Sequence, residues 1–274
     1  LLTRRVDVLP AMRLHRINMV VWAAVSAVPW VVGALADEHS RLVWWAAAAA
    51  IDLLGMRLRH PVPGLPVPGR DEIDFDLPHQ IERCQLFLII CLGEAILTTG
   101  NAIIHGLDEP LVVAAGVTSL LVIIGVWALF FGPANEEHVL APMTSEAHGD
   151  DPAANVSLAV LATNGQQVLV LGMVALAVGA EVVVAEPAEP IAPAAVMALF
   201  GGMVICVTAF WFFLTRSTGR SMWVSLAACD AVLICAAGVS VLAGLSGIAV
   251  MGLLVVVTAS TAWGFNREAR LLAR

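Results

Sequence analysis

Residues 111–133 read LVVAAGVTSLLVIIGVWALFFGP, without a single charged side chain. At a rise of about 1.5 Å per residue, a helix of this length crosses the roughly 30 Å hydrocarbon core of a bilayer. The length of the run, with its content of Ala, Leu and Gly, favours a helix over a buried strand. The stretch therefore predicts a transmembrane helix.

Seven further windows have a similar apolar character, and they lie near residues 17–36, 42–56, 79–104, 156–181, 191–214, 221–243 and 247–265. The 274-residue chain is 59% hydrophobic and only 13% charged, whereas soluble domains average about 25% charged residues. A compact soluble fold cannot bury so much apolar surface. We therefore predict an all-α, polytopic transmembrane helix bundle of about eight spans, forming a single integral membrane domain over residues 1–274 without a separate soluble domain.

Arginine positions set the expected orientation, because cytoplasmic connections are enriched in positive charge. With the N-terminus placed in the cytoplasm, most arginines fall on that side: Arg4, Arg5, Arg13, Arg16, Arg57, Arg59, Arg70, Arg216, Arg220, Arg267, Arg270 and Arg274. The opposite side holds Arg41. The connection 134–155 is acidic and contains no arginine, so it is assigned to the cytoplasmic side only because an even number of predicted spans precedes it. We predict that both ends of the chain are cytoplasmic.

Composition also narrows the chemistry. The net charge of −8 argues against nucleic acid as a partner. All 14 basic residues are arginines, which excludes a lysine Schiff base or a Walker lysine. The five cysteines lie in apolar stretches without metal-ligand spacing. We therefore expect no metal site, no cofactor and no catalytic residue, and we expect membrane lipids, with a small solute or protons, as the partners.

The predicted third span carries polar side chains on one face. At about 100° per residue, one sector of roughly 100° contains six of them: His79, Arg83, Glu94, Thr98, Asn101 and His105. Glu82 lies to one side of this sector. Glu94 is about 16 Å further along the helix than Arg83, near the bilayer centre, where a charge costs on the order of 3 kcal/mol. Such a carboxyl is either a functional proton or cation site or a neutral group bonded to a neighbouring helix.

This segment closely resembles the signature of the bacterial low temperature requirement protein A (LtrA) family. The resemblance lies in His-x-x-Glu-Arg at 79–83, followed by Leu-Phe-x-Ile-Ile-x-Leu-Gly-Glu-x-Ile-Leu at 86–97. It implies a multi-pass protein of the bacterial cytoplasmic (inner) membrane, named for a cold-growth phenotype and without a settled biochemical activity. It also implies that the chain is the C-terminal two-thirds of a family-length protein, because the family's Glu-Leu-Phe-Phe-Asp-Leu-Val segment is absent.

Polar residues in other spans extend the candidate site. The resemblance aligns Gln166 with a family histidine, and glutamine cannot exchange a proton near neutral pH. Amides in membrane helices either join helices or line a substrate path. Asp230 lies about halfway along its span, where it could pair with an arginine, share a proton or be structural. Asp52 is expected to pair with Arg57 or Arg59. Several of the eight tryptophans lie near span ends, and these are expected to form interfacial belts rather than a recognition site.

Three functions remain open. The first is a proton-linked transporter or permease for a small solute, whose path would include His79, Glu82, Arg83, Glu94, Thr98, Asn101, Gln166 and Asp230. The second is a membrane-embedded enzyme acting on a lipid or isoprenoid head group, with His79 as general base and Arg83 as anion-binding group. The third is a non-catalytic membrane protein of low-temperature or stress adaptation. We expect the first, and we do not expect an enzyme.

Overall fold

The computed structural model describes residues 2–69, 76–132, 152–218 and 223–272. These residues form eight α-helices: α1 (Leu2–Leu35), α2 (Glu38–Leu58), α3 (Leu77–His105), α4 (Pro110–Phe131), α5 (Pro152–Ala185), α6 (Pro193–Thr218), α7 (Trp223–Leu242) and α8 (Gly247–Leu272). One isolated β-bridge, between Pro190 and Ser246, joins the turns before α6 and α8. The helices follow the predicted windows in order, so the all-α class is confirmed.

Seven of these helices are long and apolar enough to cross a membrane, and α2 is the one outside that group. Its 21 residues include Arg41, Asp52 and Arg57, which lower its mean hydropathy. Whether α2 crosses the bilayer decides the parity of the spans, so the cytoplasmic location of both ends stays a prediction. Most of the acidic connection 134–155 lies outside the described residues, as do Arg70, Arg220 and Arg274.

Residue contacts divide the chain into two compact units. The first contains Leu1–Asp76 with Asp150–Val156, and the second contains Leu77–Gly149 with Ser157–Arg274. The single membrane domain therefore stays a prediction.

In the first unit, α1 and α2 form an antiparallel hairpin closed by a capped turn. Asp37 is the N-cap of α2, and its carboxylate accepts a hydrogen bond from the Ser40 backbone N–H at 3.2 Å. The hydrogen bond from the Ser40 hydroxyl lowers the pKa of Asp37. Gly55 lets the helices meet closely, since a Cβ there would lie 2.7 Å from the ring of Trp22. The turn is thus fixed by a charged cap and by packing.

The proline-rich segment 61–69 folds back onto α1 after α2 ends. Three side chains donate hydrogen bonds to its carbonyls: Trp22 to Pro61 at 2.8 Å, Asn18 to Pro66 at 3.3 Å, and Arg59 to Pro68. His60, just before the segment, meets the rings of His15 and Trp22, each with centroids 6.2 Å apart. Burial and the nearby His15 lower the pKa of His60, against an opposing effect of Asp52.

The expected ion pair of Asp52 is wrong. Its Oδ2 accepts a hydrogen bond from Trp30 Nε1 at 3.1 Å. Among the described residues no ion pair joins Asp52 to Arg57 or Arg59. The partner of the Asp52 carboxylate is therefore the indole N–H of Trp30 on the neighbouring helix, and not the guanidinium of Arg57 or Arg59.

The second unit contains α3, α4, α5 from Ser157 onward, and α6 to α8. It is organised around α6, the most buried of its apolar helices. An aromatic cluster of Phe130, Phe210, Trp211 and Phe265 joins α4, α6 and α8, with ring centroids 4.7–5.8 Å apart. Trp211 is only 2% exposed. Its ring therefore fills the core of the second unit, toward the C-terminal end of α6.

Candidate functional site

The predicted polar residues of α3 lie on its exposed face. His79, Glu82, Arg83, Glu94 and Asn101 are exposed, and Thr98 is partly exposed. The opposite face packs into the second unit through Ile81, Leu88, Leu92 and Thr99, each less than 9% exposed. We call His79, Arg83, Glu94, Thr98 and Asn101 the polar stripe of α3. The stripe therefore points away from the core of its own unit.

A histidine and a glutamate lie side by side in the first turn of α3. His79 Nδ1 lies 3.8 Å from Glu82 Oε2, and the two side chains are 63% and 67% exposed. Arg83 follows directly, also exposed. This arrangement presents a base, an acid and a fixed cation together at the start of the helix. Exposed pairs of this kind contribute at most about 1 kcal/mol to stability.

Glu94 lies deep in the same helix. The candidate span Leu77–Ile104 has its midpoint about 5 Å from the level of Glu94. The Thr98 hydroxyl donates to the Glu94 backbone carbonyl at 2.9 Å. Thr98 is therefore bonded within its own helix, one turn beyond the Glu94 carboxyl. The side chain of His105, the last residue assigned to this face, lies outside the described residues.

Two amides join α3 to α5. Gln80 Nε2 donates to Thr163 Oγ1, and Gln166 Nε2 donates to the Cys84 carbonyl oxygen, both at 3.1 Å. Such bonds between membrane helices contribute about 0.6–1.7 kcal/mol. Gln166 thus lies at the α3–α5 contact, where it joins helices. Gln80 was not singled out from the sequence, although an amide in an apolar helix signals a partner.

Asp230 lies at a different contact, between α6 and α7. Its Oδ2 accepts a hydrogen bond from Thr208 Oγ1 at 3.1 Å. Its Oδ1 is buried and has no hydrogen-bond partner among the described residues. The same part of the chain shows no arginine in an ion pair with Asp230. The carboxyl is thus half satisfied, which leaves one oxygen for a proton or a cation.

A cavity of about 90 Å³ opens between α3, α4, α5 and α6. We call it the α3–α6 cavity, and its lining is Ile81, Cys84, Gln85, Leu88, Phe130, Phe131, Ala162, Gly165, Gln166, Leu169, Ala209, Phe210 and Phe213. The walls are apolar except for two amides and a thiol. Sequence reasoning did not find this cavity, because the residues lining it come from four helices and share no motif.

Metal-ligating side chains are dispersed in the described ranges. No group of three or more His, Cys, Asp or Glu side chains there could hold a metal ion.

An all-α bundle of long apolar helices, with ionisable side chains inside its spans, defines a polytopic membrane protein. The model of the family Bacterial low temperature requirement A protein (LtrA) matches residues 3–261, so the chain belongs to the LtrA family. It is similar to an uncharacterized protein of Rhizobium meliloti (strain 1021), with 29% identity over 184 residues. That match covers 67% of this chain and 43% of the relative. No solved structure matches the chain.

Proposed function

We propose that this protein is a proton-linked transporter or permease for a small solute. The observation that carries the proposal is the location of Glu94 on the exposed face of α3, at mid-span. An ionisable side chain at this depth faces a polar path or another protein segment, because exposure to lipid tails is costly.

The rest of the stripe suits a path along α3. Arg83 lies about 16 Å from Glu94 toward the start of the helix, and Asn101 lies about 10 Å toward its end. The arrangement offers a fixed cation, a titratable carboxyl and a neutral amide in sequence along one face. In the proposed mechanism, Glu94 takes up and releases the coupling proton. Arg83 and the His79–Glu82 pair form the polar entrance.

Asp230 provides a second carboxyl for the proposed path. Its Thr208 bond holds one oxygen, and the bare Oδ1 accepts a proton without breaking that bond. Gln166 takes a positioning role, because its amide N–H donates a hydrogen bond to the Cys84 carbonyl oxygen. The proposal therefore assigns proton exchange to Glu94 and Asp230, and it assigns solute contact to Arg83, Thr98 and Asn101.

Proton flux in proteoliposomes tests the proposal. The protein is reconstituted with a pH-sensitive dye inside the vesicles. A pH gradient is then imposed, with amino acids, sugars or carboxylic acids supplied on one side. We expect proton movement that depends on the protein and on one of these solutes. Glu94→Gln should lower it at least tenfold, because a glutamine carries no titratable proton.

Glu181→Gln is the matched control, since Glu181 is an exposed acid near the end of α5. Its flux should equal that of the wild-type protein. Equal flux in Glu94→Gln and wild type would contradict the role of Glu94. Absence of proton movement in the folded wild-type protein under every solute condition would contradict transport itself.

A further inference from the structure

The α3–α6 cavity is too small for a bulky solute. Its volume of about 90 Å³ is below the roughly 150 Å³ of an apolar protein cavity that takes up benzene. Aromatic rings from α4 and α6 line it, together with aliphatic side chains. A slim, unbranched hydrocarbon segment fits such walls. An empty cavity would forfeit the van der Waals contacts that a chain provides.

The cavity lies near one end of the helix bundle, as the lining residues of all four helices show. It is lined by the first turns of α3, the last turn of α4, the first half of α5 and the last turns of α6. The arginine distribution predicts that this end faces the cytoplasm. The hydrocarbon chains nearest to the cavity are then those of the cytoplasmic leaflet, whose anionic lipids bind basic pockets between helices.

A cation lies on the same face of α6, one turn beyond the cavity. Ala209, Phe213 and Arg216 follow the i, i+4, i+7 spacing of a single helix face. The Arg216 guanidinium lies 5.4 Å from the centroid of the Phe212 ring. It is exposed, and the described residues place no carboxylate within ion-pair distance of it. Arginine binds phosphate oxygens in a bidentate manner.

We propose that the α3–α6 cavity binds a segment of an acyl chain of an anionic phospholipid, and that Arg216 binds the phosphate of the same molecule. The apolar walls recognise the chain and the guanidinium recognises the charge. This site is distinct from the polar stripe of α3, because the stripe lies on the opposite face of that helix from Ile81 and Leu88. The proposal does not depend on transport.

Gly165 offers a direct way to close the cavity. It lines the space, and a Cβ at this position would meet no atom within 4 Å. Gly165→Leu therefore fills the cavity from within. Gly238→Leu is the matched control, because Gly238 is also a helical glycine with open space at its Cβ but does not line the cavity.

The experiment reconstitutes the full chain in vesicles of equal parts phosphatidylglycerol and phosphatidylcholine with identical acyl chains. Lipids retained after detergent extraction are then counted by native mass spectrometry. We expect wild type and Gly238→Leu to retain phosphatidylglycerol preferentially. Gly165→Leu should retain neither lipid above background. Retention equal to wild type in Gly165→Leu would overturn the location of the chain.

Arg216→Gln tests the head group. It should bind phosphatidylglycerol about fivefold more weakly and lose the preference over phosphatidylcholine, since one arginine near an anionic surface accounts for about that factor. Arg267→Gln is the control, because Arg267 is likewise exposed and stacked on a ring, that of Trp263. Identical behaviour of the two arginine variants would overturn the role of Arg216.

A measurement on the wild-type protein keeps the test independent of folding defects. Cys84 lines the cavity, whereas Cys235 is exposed on α7 and does not line it. A membrane-permeant maleimide should label Cys84 at least threefold more slowly in phosphatidylglycerol than in phosphatidylcholine vesicles. The rate at Cys235 should be the same in both. Equal Cys84 rates in the two lipids would contradict occupation by an anionic lipid.

Discussion

Gly172 on α5 and Gly202 on α6 meet backbone to backbone. A Cβ on Gly172 would lie 2.7 Å from the Gly202 carbonyl oxygen, and a Cβ on Gly202 would lie 2.6 Å from the Gly172 carbonyl oxygen. Movement of the Cys206 or Leu176 side chains, which also lie close, would not relieve these contacts, because the two carbonyl oxygens are main-chain atoms. Small residues at such crossings let membrane helices approach closely and gain van der Waals contact.

We predict that alanine at either position separates the two helices. Gly172→Ala and Gly202→Ala should each lower the free energy of unfolding by about 1–3 kcal/mol, as overpacking does in well-packed cores. Gly201→Ala is the control, since a Cβ there meets nothing within 4 Å. It should be neutral or stabilise the helix by up to about 1 kcal/mol. Reversible unfolding in mixed micelles measures all three, and equal effects would contradict the crossing.

The Gln80–Thr163 hydrogen bond should show energetic coupling between α3 and α5. A double-mutant cycle with Gln80→Leu and Thr163→Val should give a coupling energy of about 0.6–1.7 kcal/mol. Thr99→Val, paired with Gln80→Leu, should give none, because the Thr99 hydroxyl donates to Ala95 within α3. Coupling of the same size in the control cycle would show that the effect is not this hydrogen bond.

The Asp37 cap predicts a pH dependence in the turn between α1 and α2. The Ser40 hydrogen bond lowers the pKa of Asp37 below its usual value of 3.8, so folding favours the ionised carboxylate. Its contribution to stability is present above that value and is lost as the pH falls through the lowered pKa. Asp37→Asn caps the helix without titrating. We expect the stability difference between wild type and Asp37→Asn to change between pH 6 and pH 2.5.

Circular dichroism during denaturation in a non-ionic detergent measures this difference at each pH. Glu109→Gln is the control, because Glu109 is the N-cap of α4 but its side chain makes no capping hydrogen bond. The corresponding difference for Glu109→Gln should vary less with pH. A pH-independent difference for Asp37→Asn would contradict the charged cap.

Trp211 should tolerate replacement by phenylalanine but not by alanine. Its Nε1 is buried and has no hydrogen-bond partner among the described residues. Trp211→Phe therefore sacrifices no hydrogen bond and should cost less than about 1.5 kcal/mol. Trp211→Ala should cost about 3–5 kcal/mol, because it opens a cavity in the aromatic cluster. Trp263→Ala, at a ring that is 63% exposed, should cost far less by the same unfolding measurement.

The helices and their order could be predicted because apolar runs of span length leave few alternatives. Their ends were less accurate: α1 and α8 continue into charged segments that hydropathy assigns to connections. Periodicity showed which residues of α3 share a face, but not which face packs. In a bilayer, lipid tails are as apolar as leucine, so the hydrophobic pattern does not separate the two sides.

The partners of polar groups were the least predictable feature. Asp52 accepts a hydrogen bond from Trp30 because the hairpin places that indole opposite it. Residue spacing within one helix cannot predict such a contact between two helices. The α3–α6 cavity likewise arises from four helices meeting. Such features depend on helix rotation and crossing, which are set by contacts such as Gly172–Gly202 rather than by the sequence of one span.

The attachment of the proline-rich segment 61–69 has a consequence for redesign. Three hydrogen bonds from side chains outside the segment end on proline carbonyls, at Pro61, Pro66 and Pro68. The segment's own side chains take no part in those bonds, so side chains other than that of Gly64, whose φ of +82° favours glycine, can change while the length cannot. Removing one residue between Pro61 and Pro66 would shift the later acceptors away from Asn18 and Arg59. A reporter peptide is therefore better grafted by substitution here than by insertion.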